Sequence, residues 1–358
     1  QAPARLPCPV RGWHRVFLGF QGACGLRVRL AGREPWFRRV ETSVSWDTDA
    51  ASGEELCWCD ADLTDVVFEF LPQALLNRAD RRQSRLAYVR LQPLPGGPEP
   101  SAHTVATRTA GAVIDGHEML GAYAPTTPDA VRGMIAPFID SDFRRLHFGC
   151  TCTTMRLTYL TQVGHWLGQD QPLESLHSDH NRRCARTLQT AAADGWDPVD
   201  VMIDFARTHD MELWADFRIQ QDYAFDYIGG FGYDFNSPFT EAHQHWRHVD
   251  RAGVVCSHSF SHFHSGWEQY KLDLLAELAR KGPSGLHVNF TCELGALWDF
   301  DPQAVARYRH ETGEDPLAEN EPPESWYQFR CDHLTDFMRR LRTQTEGIAA
   351  DLGRPIQI

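Results

Sequence analysis

No apolar run in this chain of 358 residues approaches the roughly 20 residues that a membrane-spanning helix needs, so no membrane span is expected. Basic residues are in deficit: 35 Lys and Arg face 48 Asp and Glu, for a net charge of -13. They gather into no stripe, which argues against nucleic acid as a partner. Internal repeats and low-complexity tracts are missing. So are paired C-x-x-C motifs, which removes the zinc-ribbon arrangement. No Gly-rich phosphate loop follows any expected strand, because "GGFGYDFN" opens no helix. The motifs therefore call for no cofactor and no metal.

Cysteine, by contrast, is plentiful but scattered, at Cys8, Cys24, Cys57, Cys59, Cys150, Cys152, Cys184, Cys256, Cys292 and Cys331. In "CWC" and "CTC" the two thiols stand two apart, so in a strand both point to one face. A few disulfides in an exported protein, buried free thiols and a structural zinc are the three readings of this pattern. The chain begins Gln-Ala-Pro without a signal-like stretch. An extracellular or periplasmic location is the expectation, with the cytoplasm as the alternative.

Residues 1 to about 100 read as all-β. "HRVFLGF", "GLRVRLAG", "DVVFEFLP" and "RLAYVRLQPLP" alternate apolar and polar residues between Gly, Asp, Asn and Pro punctuation, the pattern of a small antiparallel β-sandwich. "PLPGGPEPSAHT" then marks a boundary, with a linker over 101–109. From 110 to 358 the rhythm becomes strand, loop, helix. "DPVDVMIDFARTH" is the best-marked helix: Asp197 is placed to cap it, Pro198 suits its first turn, and Val199, Met202, Ile203 and Ala206 form its apolar stripe. Strands alternating with helices imply an α/β fold with a parallel sheet, either doubly wound or a (β/α)8-type TIM barrel. Polar residues recur where strands end: Asp115 and His117, then Asp216 and Arg218, then Asn289 and Glu293. That placement favours the barrel, whose chemistry sits at the carboxyl ends of its strands.

"DGHEMLGAY", "DPVDVMIDFARTHDMELWADFRI" and "YKLDLLAELARKGPSGLHVNFTCEL", continued by "FDPQAVARYRHETGEDP" and "WYQFRCDHLTDFMRRLR", make the last 250 or so residues resemble the glycoside hydrolase-like TIM-barrel family, the family-ten-like glycosyl hydrolases. The N-terminal strands are similar to the ancillary β domains found beside such barrels. The resemblance implies a polysaccharide or oligosaccharide substrate. The chain departs from the family at "SGLHVNF", where Ser284 and Asn289 stand in place of expected Asp residues, and at "SHSFSHFHSGW".

Glycosidic cleavage needs two carboxyl groups, one to protonate the leaving oxygen and one to attack or to activate water. Glu293 is the candidate acid, Asp216 its partner and Asp115 the reserve. His117, Arg218, Asn289, Tyr223, Trp298, His262 and His264 are candidate substrate contacts. The aromatics Phe225, Tyr227, Phe231, Tyr233 and Phe235 offer further faces for sugar rings. Against this stands the reading in which Asp216 makes a structural ion pair and Glu293 caps a loop. Two other functions are kept open. One is a non-catalytic carbohydrate-binding or structural subunit on a degenerate barrel. The other is a metal-dependent hydrolase using His243, His245, His248, His258, His262 and His264, joined by His287 and His117 where strand tips converge, with Asp222 and Asp226.

"DLGRPIQI" closes the chain as the opening of a fifth strand. A half barrel exposes two parallel edges and a broad apolar face. The expectation is therefore that a second chain, a further C-terminal segment or a dimer partner completes the barrel.

Overall fold

A computed structural model describes residues 2–21, 25–41, 53–72, 85–98, 110–139, 141–152, 156–220, 222, 234–290, 298–319 and 321–358. The chain divides into two compact units, Gln1–Ala110 with Ala122–Arg144, and Gly111–Gly121 with Arg145–Ile358.

In the first unit, strands β1 (Ala4–Pro7), β2 (Trp13–Gln21), β3 (Gly25–Ala31), β4 (Arg38–Glu41), β5 (Gly53–Asp62), β6 (Val67–Pro72) and β7 (Leu86–Pro93) form two antiparallel sheets. Their orders are β1-β6-β3-β4 and β5-β2-β7. The period-two alternation seen in the sequence explains the core. Val16, Leu18 and Phe20 of β2, Leu26, Val28 and Leu30 of β3, and Phe68 and Phe70 of β6 all bury their side chains in one cluster. Each such burial contributes about 1.5–3 kcal/mol. The alternate positions carry charge: Arg15 meets Asp60 at 2.8 Å, and Arg29 meets the buried Glu69 at 2.7 Å. A bulge where β2 pairs with β5 sets Val16 opposite Cys59 and Phe17 opposite Cys57. Cys57 stays exposed, while Cys59 packs on the core, where burial pushes its thiol up to about 12.

The second unit opens with β8 (Ala110–Ile114) and α1 (Gly116–Tyr123), whereas the following α2 (Pro128–Ile135) belongs to the first. Thr127 caps α2, and Gly133 lets it approach the Phe37 carbonyl, where a Cβ would sit 2.8 Å from the oxygen. Next come β9 (Phe143–Gly149), the short hairpin β10 (Thr151–Cys152) and β11 (Arg156–Leu157), then α3 (Asp179–Asp194), α4 (Pro198–Thr208) and β12 (Glu212–Arg218). After α5 (Pro238–Ala242) and the hairpin β13 (Arg247–Val249) and β14 (Val255–Phe260) follow α6 (Ser265–Lys281), β15 (Gly285–Asn289), α7 (Pro302–Thr312) and α8 (Glu324–Leu352).

The central sheet runs β8-β9-β12-β15, with β9, β12 and β15 paired in parallel, and Gln357 bridges in parallel to Gly285 at its edge. Spatial order thus follows chain order, without the reversal of a doubly wound sheet. The described strands form an open sheet and do not close into a barrel.

Register divides this sheet into two chemically distinct faces. Leu146, Phe148, Leu213, Ala215, Phe217 and Leu286 point one way and are all buried, with α4 against β12 and α6 against β15. Opposite them lie Arg145, His147 and Gly149 of β9, then Glu212, Trp214, Asp216 and Arg218 of β12, then Gly285, His287 and Asn289 of β15, in register row by row. Gly285 is required there: a Cβ on it would meet the Trp214 ring at 2.6 Å.

Caps and packing fix the helices. Asp197 caps α4 as its position in the sequence predicts, accepting from Val199 N at 2.8 Å and Asp200 N at 3.4 Å, with Pro198 in the first turn. Trp326, Phe329, His333, Phe337, Leu341 and Ile348 form the buried stripe of α8, at three- and four-residue steps and their sums. Trp326 and Phe329 join Phe263, Phe300 and Tyr308 in an aromatic cluster.

The described cysteines are free thiols, and Cys150, Cys152, Cys184 and Cys256 are buried, so the disulfide reading has no support among the described residues. Cys24 and Cys292 lie outside them, as does the linker 101–109. No described helix is long and apolar enough to cross a membrane.

Candidate functional site

The polar face of the sheet gathers its titratable groups toward the carboxyl ends of the strands. Asp216 and His287 occupy paired positions on β12 and β15, and Asp216 Oδ2 lies 2.9 Å from His287 Nδ1. A carboxylate can only accept, so Nδ1 carries a proton, and in the neutral tautomer the lone pair lies on Nε2. Asn289 Nδ2 stands 3.5 Å from the other Asp216 oxygen. Asp216 is 3 % exposed, whereas the His287 side chain is 39 % exposed. The imidazole is therefore the reachable group and the carboxylate holds it in place.

One row further along, Arg218 Nη2 donates to Asp115 Oδ2 at 2.9 Å. The other Asp115 oxygen accepts the Glu118 backbone N–H at 3.2 Å, capping α1. His147, one row toward the amino ends, meets the His287 ring edge to face at 4.9 Å. Burial, then repulsion from His287, lowers the His147 pKa. Toward the amino ends the face turns structural: Glu212 accepts from Arg145 at 2.6 Å and from the Trp214 indole at 3.1 Å, and the Arg145 guanidinium lies 4.5 Å from the Trp214 ring. A cavity of about 370 Å³ at those amino ends is lined by Arg207, Glu212, Ser284, Arg354 and Gln357, away from Asp216.

The structure thus brings together four of the residues singled out from the sequence, Asp115, Asp216, Arg218 and Asn289. Two expectations about them change. Asp216 is not open to a ligand, because His287 and Asn289 occupy its oxygens. Asp115 is divided between a helix cap and Arg218. His117 sits inside α1 and turns elsewhere, with Nε2 2.8 Å from Asn181 Oδ1 and its ring 5.3 Å from Phe235. Phe235 itself is buried at 1 % exposure, so it presents no face to a sugar.

Four histidines of the 243–264 cluster are engaged in packing and internal bonds, and His245 is exposed. His262 is buried, 3.1 Å from Gln220 and edge-on to Trp267 at 4.8 Å, and its carbonyl accepts from His333 at 2.9 Å. His264 precedes α6, stacks on Trp246 and has its pKa lowered by burial. His243 bonds the Phe239 carbonyl, and His248 pairs with Asp299. Among the described residues these imidazoles share no position for a metal ion. Trp298 is half-buried. Glu293, Tyr223, Phe225, Asp226, Tyr227, Phe231 and Tyr233 lie outside the described residues, as does the His258 side chain.

His147 is a residue the sequence reading did not name, and His287, which that reading set beside the histidine cluster, instead joins Asp216. Their signal was the same alternation that places their neighbours: in "LHVNF" and "LHFG" the apolar residues take the helix-covered face, so each His takes the other.

No family model and no curated protein matches the chain. Among solved structures it is similar to α-L-fucosidase isoenzyme 2 from Paenibacillus thiaminolyticus, with TM-score 0.43 and 11 % identity over 70 % of this chain and 32 % of that one. It is also similar to protein YXIM from Bacillus subtilis, with TM-score 0.29 and 10 % identity over 62 % of this chain and 57 % of that one. The chain spans less than two thirds of either.

Proposed function

We propose that this protein is a glycoside hydrolase-like enzyme acting on a polysaccharide or oligosaccharide at the carboxyl ends of β12 and β15, within a sheet of TIM-barrel order. The observation that carries the proposal is the Asp216–His287 pair at 2.9 Å, buried carboxylate behind accessible imidazole, on the polar face of a parallel sheet. Sequential strand order supports it, because in such sheets the reacting groups stand at strand ends on the face opposite the helices. In this reading Glu293, four positions after Asn289, protonates the leaving oxygen. His287 Nε2 takes the proton of the attacking water, and Asp216 stabilises the imidazolium that forms. Arg218 and Asn289 line the same end of the face and donate to sugar hydroxyls.

The test is incubation with a panel of soluble and insoluble glycans, read by release of reducing ends. Cleavage of at least one glycan is expected, with a drop of roughly 100-fold or more in Asp216→Asn, His287→Gln and Glu293→Gln. A wild type that binds glycans but cleaves none would leave a carbohydrate-binding protein in place of the enzyme. One that does neither removes the carbohydrate reading altogether.

A further inference from the structure

Three elements that lie far apart in sequence converge on two buried sulfurs and an imidazole. Cys152 ends the short strand β10, Cys184 lies in α3 and His117 lies in α1. The two sulfurs and a ring nitrogen of His117 all lie within 4.8 Å of one another. Both thiols are inaccessible, at 1 % and 0 % exposure, and hydrogen-bond each other.

The imidazole is held in place by a chain of hydrogen bonds through α3. Asn181 Nδ2 donates to Asp234 Oδ2 at 2.5 Å, which orients the amide so that its oxygen faces His117 Nε2 at 2.8 Å. In the neutral ring this puts the proton on Nε2, and Nδ1 lies 3.9 Å from Glu118 Oε1. A carboxylate–amide–histidine chain of this kind fixes tautomer and ring direction in metal sites. Asn181 and Cys184 lie three apart on α3, so one helix supplies both a ligand and the support for another.

We propose that Cys152, Cys184 and His117 form a binding site for a thiophilic metal ion of the zinc type. Two thiolates and one imidazole are the donor set that selects such ions over the hard cations. Bonds of about 2.3 Å to sulfur and about 2.0 Å to nitrogen put tetrahedral ligand atoms about 3.5–3.8 Å apart, so the triad closes by side-chain movements of about 1 Å. Binding replaces two S–H bonds by two S–metal bonds and sends two protons to solvent. His180 and Glu118 stand beside His117 in a second group of potential ligand atoms. The His180 ring is 4.8 Å from that of His117, and its Nε2 is 3.6 Å from Glu118. Those imidazoles are partly exposed, at 13 % for His117 and 16 % for His180, so the ion reaches the thiols past them. The site is separate from the Asp216–His287 pair and does not depend on the carbohydrate reading.

The test uses the full chain, kept reduced and stripped with a chelator, then titrated with Zn²⁺ or Co²⁺. Uptake of about one equivalent is expected, with release of about two protons and, for Co²⁺, a near-ultraviolet thiolate charge-transfer band. Cys184→Ser should lose the band, and His117→Gln, which leaves both thiols, should weaken binding at least about tenfold. No uptake by the wild type, uptake without the thiolate band, or equal affinity in His117→Gln and wild type would each overturn the site. Because the wild type alone can refute it, a variant that fails to fold does not shelter the proposal.

Discussion

Asp222 and Asp216 are equally hidden carboxylates, at 2 % and 3 % exposure, yet their surroundings give them opposite uses. Asp222 meets the ammonium of Lys271 at 3.1 Å and the Trp267 indole at 3.5 Å, and Lys271 is itself fully buried. Burial pushes the Lys271 ammonium below its ordinary range, and Asp222 pulls it back up. Asp299 is likewise held well below the usual carboxylate range by His248 and Arg330, against the cost of its burial, and Glu268 lies 3.3 Å from the buried His333. Asp216, by contrast, faces a single imidazole whose far edge reaches solvent. A buried charge that meets buried partners holds structure together. One that meets a half-exposed titratable group can pass a proton.

Substitutions at the two carboxylates' partners should separate stability from activity. Lys271→Met strands Asp222 without its ammonium and should cost about 3–5 kcal/mol in urea unfolding. Adding Asp222→Asn should recover part of that loss, since the pair and not either residue is the unit. His287→Gln should do the reverse: turnover on any cleaved glycan falls roughly 100-fold, while the unfolding midpoint moves little. Equal loss of stability in both variants would erase the distinction between the two carboxylates.

Gly285→Ala sharpens the comparison by disturbing the register that sets Asp216 opposite His287. Its Cβ meets the Trp214 ring at 2.6 Å, so destabilisation of about 1–3 kcal/mol is expected from unfolding curves, with a matching fall in turnover.

The smallest effect expected is a pH dependence from the saturated region. His333 Nε2 donates to the His262 carbonyl, and Arg307 donates to Nδ1, so the ring is neutral when bonded this way. Burial lowers its pKa, outweighing the opposite pull of the His262 carbonyl and of Glu268 at 3.3 Å, and Arg307 also opposes the charged form. The unfolded chain therefore binds this proton first. Stability is full above the unfolded value of about 6.5 and declines as pH falls below it toward the lower folded value. His333→Gln should flatten that decline between neutral and mildly acidic pH in urea melts, and an unchanged slope would remove His333 as its source.

Much of this arrangement was legible in the sequence because it depends on local period. Asp197 and Pro198 announced α4, and the polar residues ending "MELWADFRI" and "SGLHVNF" marked Asp216, Arg218 and Asn289 as strand-end groups, which the register then sets on one side of the sheet. What stayed hidden depends on meetings across the fold. Nothing near Cys152 in sequence points to Cys184 or His117, and no local signal announces that Lys271 will find Asp222. The cluster of histidines misled for the same reason: closeness along the chain sent His243 and His248 to different partners. The addition of residues 122–144 to the first unit likewise follows from α2 meeting β4, which no periodicity in "PTTPDAVRGMIAPFIDSD" records.

Trp214 and Gly285 have a consequence beyond their own contact. A strand that slides one place exchanges its two faces, which would carry His287 under the helices and turn Leu286 toward Asp216. The broad indole of Trp214 accepts only a residue without a side chain across from it, and the neighbours of Gly285 are Ser284 and Leu286. The pair works as a lock and its single key: it tests the alignment of two strands before any chemistry can be assembled on them, and rejects the misfit by bulk alone.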